Sequence, residues 1–177
     1  YLFKNTDLQT SYNINMVAIA DGKPCQLGLI DIISYYVNYQ REVVLRRSKF
    51  ELERAKERAH ILEGLIVAVK NIDEVIKIIR GADNTADAKA KLRKRFDLTE
   101  VQATAILDLR LARLTKLEIY KLEEELKELN KKIKELSAII ASKAKQMEVV
   151  KTELAAIKKK YGDDRRSNLI IGDKEMD

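Results

Sequence analysis

The fold of this chain is decided by residues 119–140, which read IYKLEEELKELNKKIKELSAII. Apolar residues recur here in alternating steps of three and four, at Ile119, Leu122, Leu126, Leu129, Ile133, Leu136 and Ile140. An average spacing of about 3.5 residues is typical of a helix whose apolar seam packs along a second helix. Lys and Glu fill most other positions, which suits faces in water. The seam resumes at Met147, Val150, Leu154, Ile157 and Tyr161, after a candidate break at 141–143.

A second apolar seam lies earlier in the chain, in similar steps, at Leu45, Leu52, Ala55, Ala59, Leu62, Ile66 and Val69. Its helix should begin near Gly28 or Leu29, where an apolar face starts. Asn71 or Asp73 would cap a shorter helix that ends at the Arg80-Gly81 pair, a basic last turn followed by Gly. Two seamed helices separated by a connector usually form an antiparallel pair.

The connector between the two seams is predicted to be helical as well. Thr85 would cap a helix over residues 86–96. Thr99 and Gln102 have the spacing of a capping box and would open a helix over residues 100–114. Thr115 would then cap the second seamed helix. The sequence therefore predicts a long antiparallel coiled-coil stalk with a small helical knob at its tip.

The N-terminal residues have a different texture and predict a short β-ribbon. Residues 10–19 alternate loosely, Asp21-Gly22 is a turn signal, and residues 24–27 form a return strand. The fold class is thus mainly α with a small ribbon. The expected segments are a ribbon over 1–27, an outgoing helix over 28–80, the knob over 81–117, a return helix over 118–161 and a tail over 162–177.

Composition agrees with exposed helices rather than a deep globular core. Charged residues make up 35% of the chain and aromatics 6%, with one Pro and no Trp. The single cysteine, Cys25, excludes an intramolecular disulfide and favours a reducing cytoplasm. No apolar run approaches the roughly 20 residues of a membrane-spanning helix, so no membrane role is expected.

Catalytic signals are almost absent. His60 is the only histidine and lies inside a predicted helix, which favours a structural role and leaves no His-based triad or metal cluster. The glycines are scattered and form no phosphate loop. We therefore expect no catalytic residue, no metal site and no cofactor within this chain.

Basic pairs and triplets are the weaker functional candidates. The net charge is +6, mostly from interleaved Lys and Glu. Single clusters are usually solvated faces, and a role in contacting DNA phosphates requires several on one surface. The candidates for a DNA-facing surface are Arg46, Arg47, Lys158, Lys159, Arg165 and Arg166.

The last predicted knob helix, over residues 100–114, carries more apolar surface than one buried stripe needs. One interpretation is that the helix over 86–96 covers the excess within the knob. The other is that the knob presents an apolar face to a second copy of the chain. On the second interpretation Ile106, Leu109, Leu111 and Leu114 supply the apolar contact, and Arg110 and Arg113 flank it.

Several stretches resemble the A-type subunits of bacterial type IIA DNA topoisomerases, the family of DNA gyrase and topoisomerase IV. The longest is QATAILDLRLARLT at residues 102–115. The others are LFKNT at 2–6, NMVA at 15–18, RAHILEGL at 58–65, NIDEVI at 71–76 and YGDDRR at 161–166. The resemblance covers about residues 1–170 in order and fits gyrase and topoisomerase IV alike.

The resemblance implies a role that the residue patterns do not reach by themselves. The matching segment of that family is the end of the tower domain followed by the coiled coil whose tip forms the exit gate, or C-gate, of a homodimer. The implied parent is a cytoplasmic, ATP-hydrolysing isomerase that passes one DNA duplex through another. It works as a heterotetramer with a B-type ATPase partner chain, and ATP and Mg²⁺ bind on other domains or chains. None of the seven tyrosines matches the family's DNA-cleaving tyrosine, so this segment alone is expected to cleave nothing.

Two positions depart from the family pattern. Lys116 stands where the family usually has Gly, and it would strain the turn if that position needs a special backbone conformation. Asn13 stands where gyrase often has Gly, which is closer to some topoisomerase IV chains.

Two rival functions remain at the level of sequence. One is a nucleic-acid-binding helical hairpin, which would concentrate basic residues on one face. The other is a purely structural coiled-coil scaffold, which would not need an apolar tip.

Overall fold

The computed structural model describes residues 1–110 and 115–168 and is mainly helical, as the sequence predicts. The elements are α1 (Leu2–Asn5), β1 (Val17–Ala20), β2 (Lys23–Gln26), α2 (Leu29–Lys70), α3 (Ile72–Arg80), α4 (Thr85–Phe96), α5 (Glu100–Leu107), α6 (Lys116–Ala141) and α7 (Lys143–Tyr161). They form two compact units. One is Val44–Gln146, and the other is Tyr1–Val43 with the segment from Met147.

The ribbon forms around the predicted turn. Asp21 and Gly22 both have positive φ, 52° and 77°, as the two central residues of a type I′ hairpin turn do. The turn pairs Ala20 with Lys23 and Val17 with Gln26 in an antiparallel register. The prediction of a strand from residue 10 was too long. Because β2 has only four residues, the chain before Met16 has no ladder partner in the described sheet.

Helix α2 begins at Leu29 and breaks at Asn71, both as predicted. The predicted cap residue Asn71 makes a different hydrogen bond from the one expected. Asn71 occupies the N-cap position of α3, but its side chain makes no cap hydrogen bond there. Its Nδ2 instead donates to the carbonyl of Val67, 2.9 Å away. The Val67 carbonyl, in the last turn of α2, thus accepts from both the side chain and the backbone N–H of Asn71.

Helices α2 and α6 run antiparallel within the unit Val44–Gln146. Three ion pairs join them: Glu51 to Lys132 at 3.0 Å, Arg58 to Glu125 at 2.7 Å and Lys70 to Glu123 at 3.1 Å. Residue numbers rise along α2 while those of the partners fall along α6, which defines the antiparallel orientation. Seam residues of both helices, such as Leu62 and Leu122, are buried between them and the shorter helices.

The Arg58–Glu125 pair is bidentate, with Nε–Oε1 at 2.7 Å and Nη2–Oε2 at 3.0 Å. The hydrogen bond to Glu125 raises the pKa of Arg58. Both side chains are about two-fifths exposed, so solvent screening limits what the pair contributes. A two-pronged fork nevertheless constrains the register of the helices more than a single contact does.

We expect Arg58→Glu to lower the free energy of unfolding by about 1 kcal/mol, because it removes the pair and sets two carboxylates side by side. The exchanged double variant, Arg58→Glu with Glu125→Arg, should recover most of the loss. Urea titration measures both. Lys127→Glu is the matched control, because Lys127 pairs with Glu124 inside α6 and not across helices. A double variant as unstable as the single one would contradict the pairing.

The core of this unit lies where α3, α4 and α5 pack on α2 and α6. Its most buried members are Leu62 and Leu92, at 0% exposure, and Val75 at 2%. Ile106 of α5 and Leu122 of α6 belong to the same cluster. The surface pairs Glu74–Arg95 and Glu100–Lys89 also link neighbouring helices.

The predicted cap of helix α4 is also corrected. The N-cap is Asn84, not Thr85, because the Asn84 side chain accepts from the backbone N–H of Asp87 at 2.9 Å. The helix ends at Phe96, and the C-cap Asp97, whose backbone is left-handed (φ 52°), donates its N–H to the carbonyl of Arg93. The caps of the later helices are as predicted. Thr99 and Gln102 cap each other reciprocally, and Thr115 caps α6.

Helix α5 is shorter than predicted. It ends at Leu107, and the chain turns at Asp108, where a tight bond runs from the Leu109 N–H to the carbonyl of Ile106, 3.1 Å away. Such bonds close the last turn of a helix and stop its propagation. No Gly or Pro marks the end of α5, and the apolar residues continue past it, so the sequence pattern predicted a longer helix. The rest of the predicted helix, residues 111–114, lies outside the described residues.

The break between α6 and α7 lies at Ser142, inside the predicted interval 141–143. Ser142 is extended, and its Oγ accepts from the N–H of Lys145 at 3.4 Å. The buried side chain of Gln146 donates to the carbonyls of Ile139 and Ile140, 3.1 and 3.2 Å away. These carbonyls lie at the end of α6, where Gln146 adds to the bond that the Ser142 N–H makes to Ile139 and pairs the carbonyl of Ile140.

Candidate functional site

The predicted apolar gate residues have unequal positions. Ile106 is 4% exposed and belongs to the core of its own chain. Leu109 is partly buried against the same core, and Arg110 is exposed. Leu111, Arg113 and Leu114 lie outside the described residues. Among the described candidates, Ile106 is therefore buried inside the knob, and Leu109 is partly buried there.

The first turn of α6 exposes apolar surface that the sequence analysis did not single out. Leu117 is 64% exposed and Tyr120 is 61% exposed. Residues three apart lie on one face of a helix, so these two side chains are neighbours. A signal was present in the sequence. Both positions are large and apolar, yet they lie off the seam defined by Ile119 and Leu122.

Lys116 is compatible with the local backbone. It is the first residue of α6, directly after the cap Thr115. Among described residues other than Gly, positive φ occurs only at Asp21 and Asp97. The first residue of a helix has ordinary helical φ, a backbone conformation that does not require Gly.

The charged surface of the knob is organised by local pairs. Lys91 Nζ lies 2.6 Å from Asp87 Oδ2 and 3.2 Å from the carbonyl of Gly81. The hydrogen bond from Lys91 and the backbone N–H of Asp83 lower the pKa of Asp87, and Asp87 in turn raises the pKa of Lys91. Both groups are at the surface, so this arrangement orders the start of α4 rather than forming a reactive centre.

The basic candidates fall in different units. Arg46 and Arg47 are exposed on α2 in the unit Val44–Gln146. Lys158 and Lys159 are exposed near the end of α7, in the other unit. Beyond the helix, Arg166 pairs with Asp163 at 3.3 Å and the Arg165 side chain donates to the carbonyl of Ser167 at 3.0 Å. The exposed basic cluster of this unit is therefore the last turn of α7, while in the tail Asp163 and Asp164 offset Arg165 and Arg166.

Neither a metal-binding cluster nor a membrane span occurs in the described part of the chain. Residues 1–110 and 115–168 contain no group of three or more His, Cys, Asp and Glu placed to hold a metal ion. None of the described helices is both long and apolar enough to cross a membrane.

These features define a class of protein, an antiparallel helical hairpin that carries a small helical domain with exposed apolar residues. The chain belongs to the family of A subunits of DNA gyrase and topoisomerase IV, because a sequence model of that family matches residues 1–155.

Individual relatives include both enzymes. The chain is 46% identical to the A subunit of DNA gyrase from Clostridium acetobutylicum over 176 residues, which is 99% of this chain and 21% of the relative. It is 48% identical to the A subunit of DNA topoisomerase 4 from Bacillus subtilis over 167 residues, which is 94% of this chain and 21% of the relative. The chain thus spans about a fifth of the length of these curated relatives.

Proposed function

We propose that this chain is the exit-gate segment of a type IIA DNA topoisomerase A-type subunit. Its role is mechanical: two copies meet through the tip of the helical hairpin and separate once per passage of a DNA duplex. The parent enzyme is a cytoplasmic isomerase, and its B-type partner chain, ATP and Mg²⁺ act outside this segment. The segment itself carries no cleavage chemistry.

The observation that carries the proposal is the exposed apolar surface at the start of α6. Leu117 and Tyr120 project from one face of a capped helix, directly after the segment 111–114 and close in sequence to the exposed Arg110. A small apolar contact flanked by charge suits a reversible interface better than a permanent one, since permanent interfaces bury larger and more apolar areas. The antiparallel ion pairs support a lever that transmits force to this tip.

The DNA duplex that passes through the gate is the proposed substrate of the whole enzyme. Within this chain, we assign contact with that DNA to the basic last turn of α7. Lys158 and Lys159 are exposed and Lys160 lies 5.0 Å from the ring centroid of Tyr161. Exposed lysines attract phosphates without reading sequence, which suits a duplex that must move on.

Sedimentation analysis tests the tip contact. We expect the chain to dimerise reversibly, and Leu117→Arg with Tyr120→Arg to weaken the dimer at least about tenfold, a loss of about 1.4 kcal/mol. Leu109→Arg and Leu111→Arg test the candidates chosen from sequence. Phe50→Arg is the matched control, because Phe50 is 60% exposed on α2 and away from the tip residues in the chain.

Unchanged dimerisation in the tip variants would overturn the proposed contact. A chain that stays monomeric at high concentration would favour a structural scaffold. Salt-dependent binding of DNA by the isolated chain, without dimerisation, would favour a nucleic-acid-binding arm.

A further inference from the structure

A polar cluster inside the knob joins α5 to α2. Gln102 is 7% exposed, which is unusual for an amide side chain. Its Nε2 donates to the His60 carbonyl at 2.7 Å and lies 3.4 Å from His60 Nδ1. Its Oε1 accepts from the Thr99 N–H at 3.0 Å and from Thr99 Oγ1 at 3.3 Å. All four hydrogen-bonding positions of the amide are therefore occupied.

The cluster closes on itself through His60. Nε2 of His60 lies 2.8 Å from Thr99 Oγ1. If Nδ1 accepts from Gln102, Nε2 carries the ring proton and donates to Thr99, and the Thr99 hydroxyl then donates to Gln102. The amide cannot rotate without breaking these bonds, because one end meets a backbone carbonyl and the other a backbone N–H. With this tautomer of His60, every donor in the cluster meets an acceptor.

Gly64 makes room for this cluster. It lies one turn after His60 on α2, and a Cβ built there would come within 2.7 Å of Gln102 Cγ and 2.8 Å of Gln102 Cβ. Real side chains do not approach so closely. The absence of a side chain at Gly64 therefore allows Gln102 to lie flat on α2 and reach the His60 carbonyl.

Helix α5 has apolar residues on more than one side. The helix has eight residues, of which Val101, Ala103, Ala105, Ile106 and Leu107 are apolar and distributed around it. Val101 is 58% exposed while Ala103 and Ile106 are buried, so α5 carries apolar side chains both on its buried side and on its solvent side. Buried polar residues select one arrangement among alternatives, because every other arrangement leaves them unpaired.

We propose that Gln102, together with Thr99 and His60, is a positioning latch that sets the rotation of α5 on α2. The latch thereby sets the direction in which the chain leaves α5 toward the tip contact. This second step rests on the proposed gate function. Gln102 touches no substrate and acts only through the orientation of α5.

The test measures the orientation of α5 directly. Spin labels at Lys49→Cys on α2 and Val101→Cys on α5, in a Cys25→Ser background, report their distance distribution by pulsed electron resonance. Both labelled positions are exposed. We expect a narrow distribution in the otherwise unchanged chain and at least a twofold broader one in Gln102→Met, which keeps the volume and loses the amide.

Matched variants separate positioning from stability. Thr99→Val should broaden the distribution and Thr99→Ser, which restores the hydroxyl, should return it to the original width. Gln146→Met is the control, because Gln146 is equally buried and polar but bonds to Ile139 and Ile140. Gln146→Met should leave the width unchanged. Circular dichroism confirms folding, and Thr99→Val, at an exposed residue, replaces Gln102→Met if that variant does not fold.

A second measurement tests the link to the gate. Gln102→Met should raise the dissociation constant of the tip dimer at least tenfold, and Thr99→Ser should not. A distribution that stays narrow in Gln102→Met overturns the latch. A broadened distribution with unchanged dimer affinity overturns its link to the gate. If the unchanged chain never dimerises, the proposed function fails, while the label distances still decide whether the latch exists.

Discussion

Leu92→Ala is expected to lower the free energy of unfolding by about 3 kcal/mol, the largest effect that we expect of one substitution. Leu92 is completely buried on α4 and belongs to the cluster with Leu62, Val75 and Ile106. Removing its methyl groups loses their transfer free energy and leaves a cavity that neighbouring helices fill only partly. The residue lies where α4 meets the core that α5 also joins, so little of the loss can be relieved by local movement.

Chemical denaturation followed by circular dichroism measures the effect of Leu92→Ala. The measurement should be made at concentrations where the chain is monomeric, because association would add to apparent stability. Leu117→Ala is the matched control, since the same atoms are removed from a side chain that is 64% exposed. We expect a change below about 0.5 kcal/mol for that control. Equal losses for the two variants would contradict the burial of Leu92 in the core.

Gly64→Ala is expected to destabilise the chain by about 2 kcal/mol, against the usual preference of helices for Ala. In an open helix position the change would stabilise by about 1 kcal/mol. Here the new Cβ would lie 2.7 Å from Gln102 Cγ and 2.8 Å from Gln102 Cβ. Gln102 must then leave α2 and abandon its bonds to His60, and each lost bond costs about 1 kcal/mol. The loss therefore exceeds the gain in helix propensity.

A double-mutant cycle isolates the contact between Gly64 and Gln102. In the Gln102→Ala background the hydrogen bonds are already absent and less of the side chain can clash. We therefore expect the cost of Gly64→Ala to fall there by more than about 1 kcal/mol. Urea unfolding of the four chains measures the coupling. Additive effects would show that the two residues are not in contact.

Local patterns were sufficient to predict most elements of the fold. The start of α2 at Leu29, the break at Asn71, the capping box at Thr99 and the break at Ser142 were all predicted. Each has a signal within a few residues, such as a cap, a turn pair or an interrupted seam. The cap of α4 was assigned one residue late, because Asn84 and Thr85 are both good caps and only the hydrogen bond to Asp87 distinguishes them.

The end of α5 was beyond the reach of local patterns. Residues 106–114 contain no helix-stopping residue, and the chain turns at Asp108. Packing of Ile106 and Leu109 against the core accompanies that turn. The exposed pair Leu117 and Tyr120 had a signal, since both residues are large, apolar and off the seam, but only the packed core shows that they stay outside. Which apolar residues remain exposed to solvent depends on how much room the core leaves once the other apolar residues are packed in it.

The sequence by itself determined the antiparallel helix pair, because two apolar seams of matching period can be read along the chain. It also determined the similarity to the A-type chains of topoisomerases, which rests on the longer motifs. Only the tertiary structure decided which apolar residues are inside and how α5 is held. Burial of Ile106, exposure of Leu117 and the closure of Gln102 on His60 each depend on residues about 40 positions apart or more, or on the whole core. Contacts between residues so far apart in the chain form only when the helices pack, and the periodicity within one helix does not specify which residue of another helix it will contact.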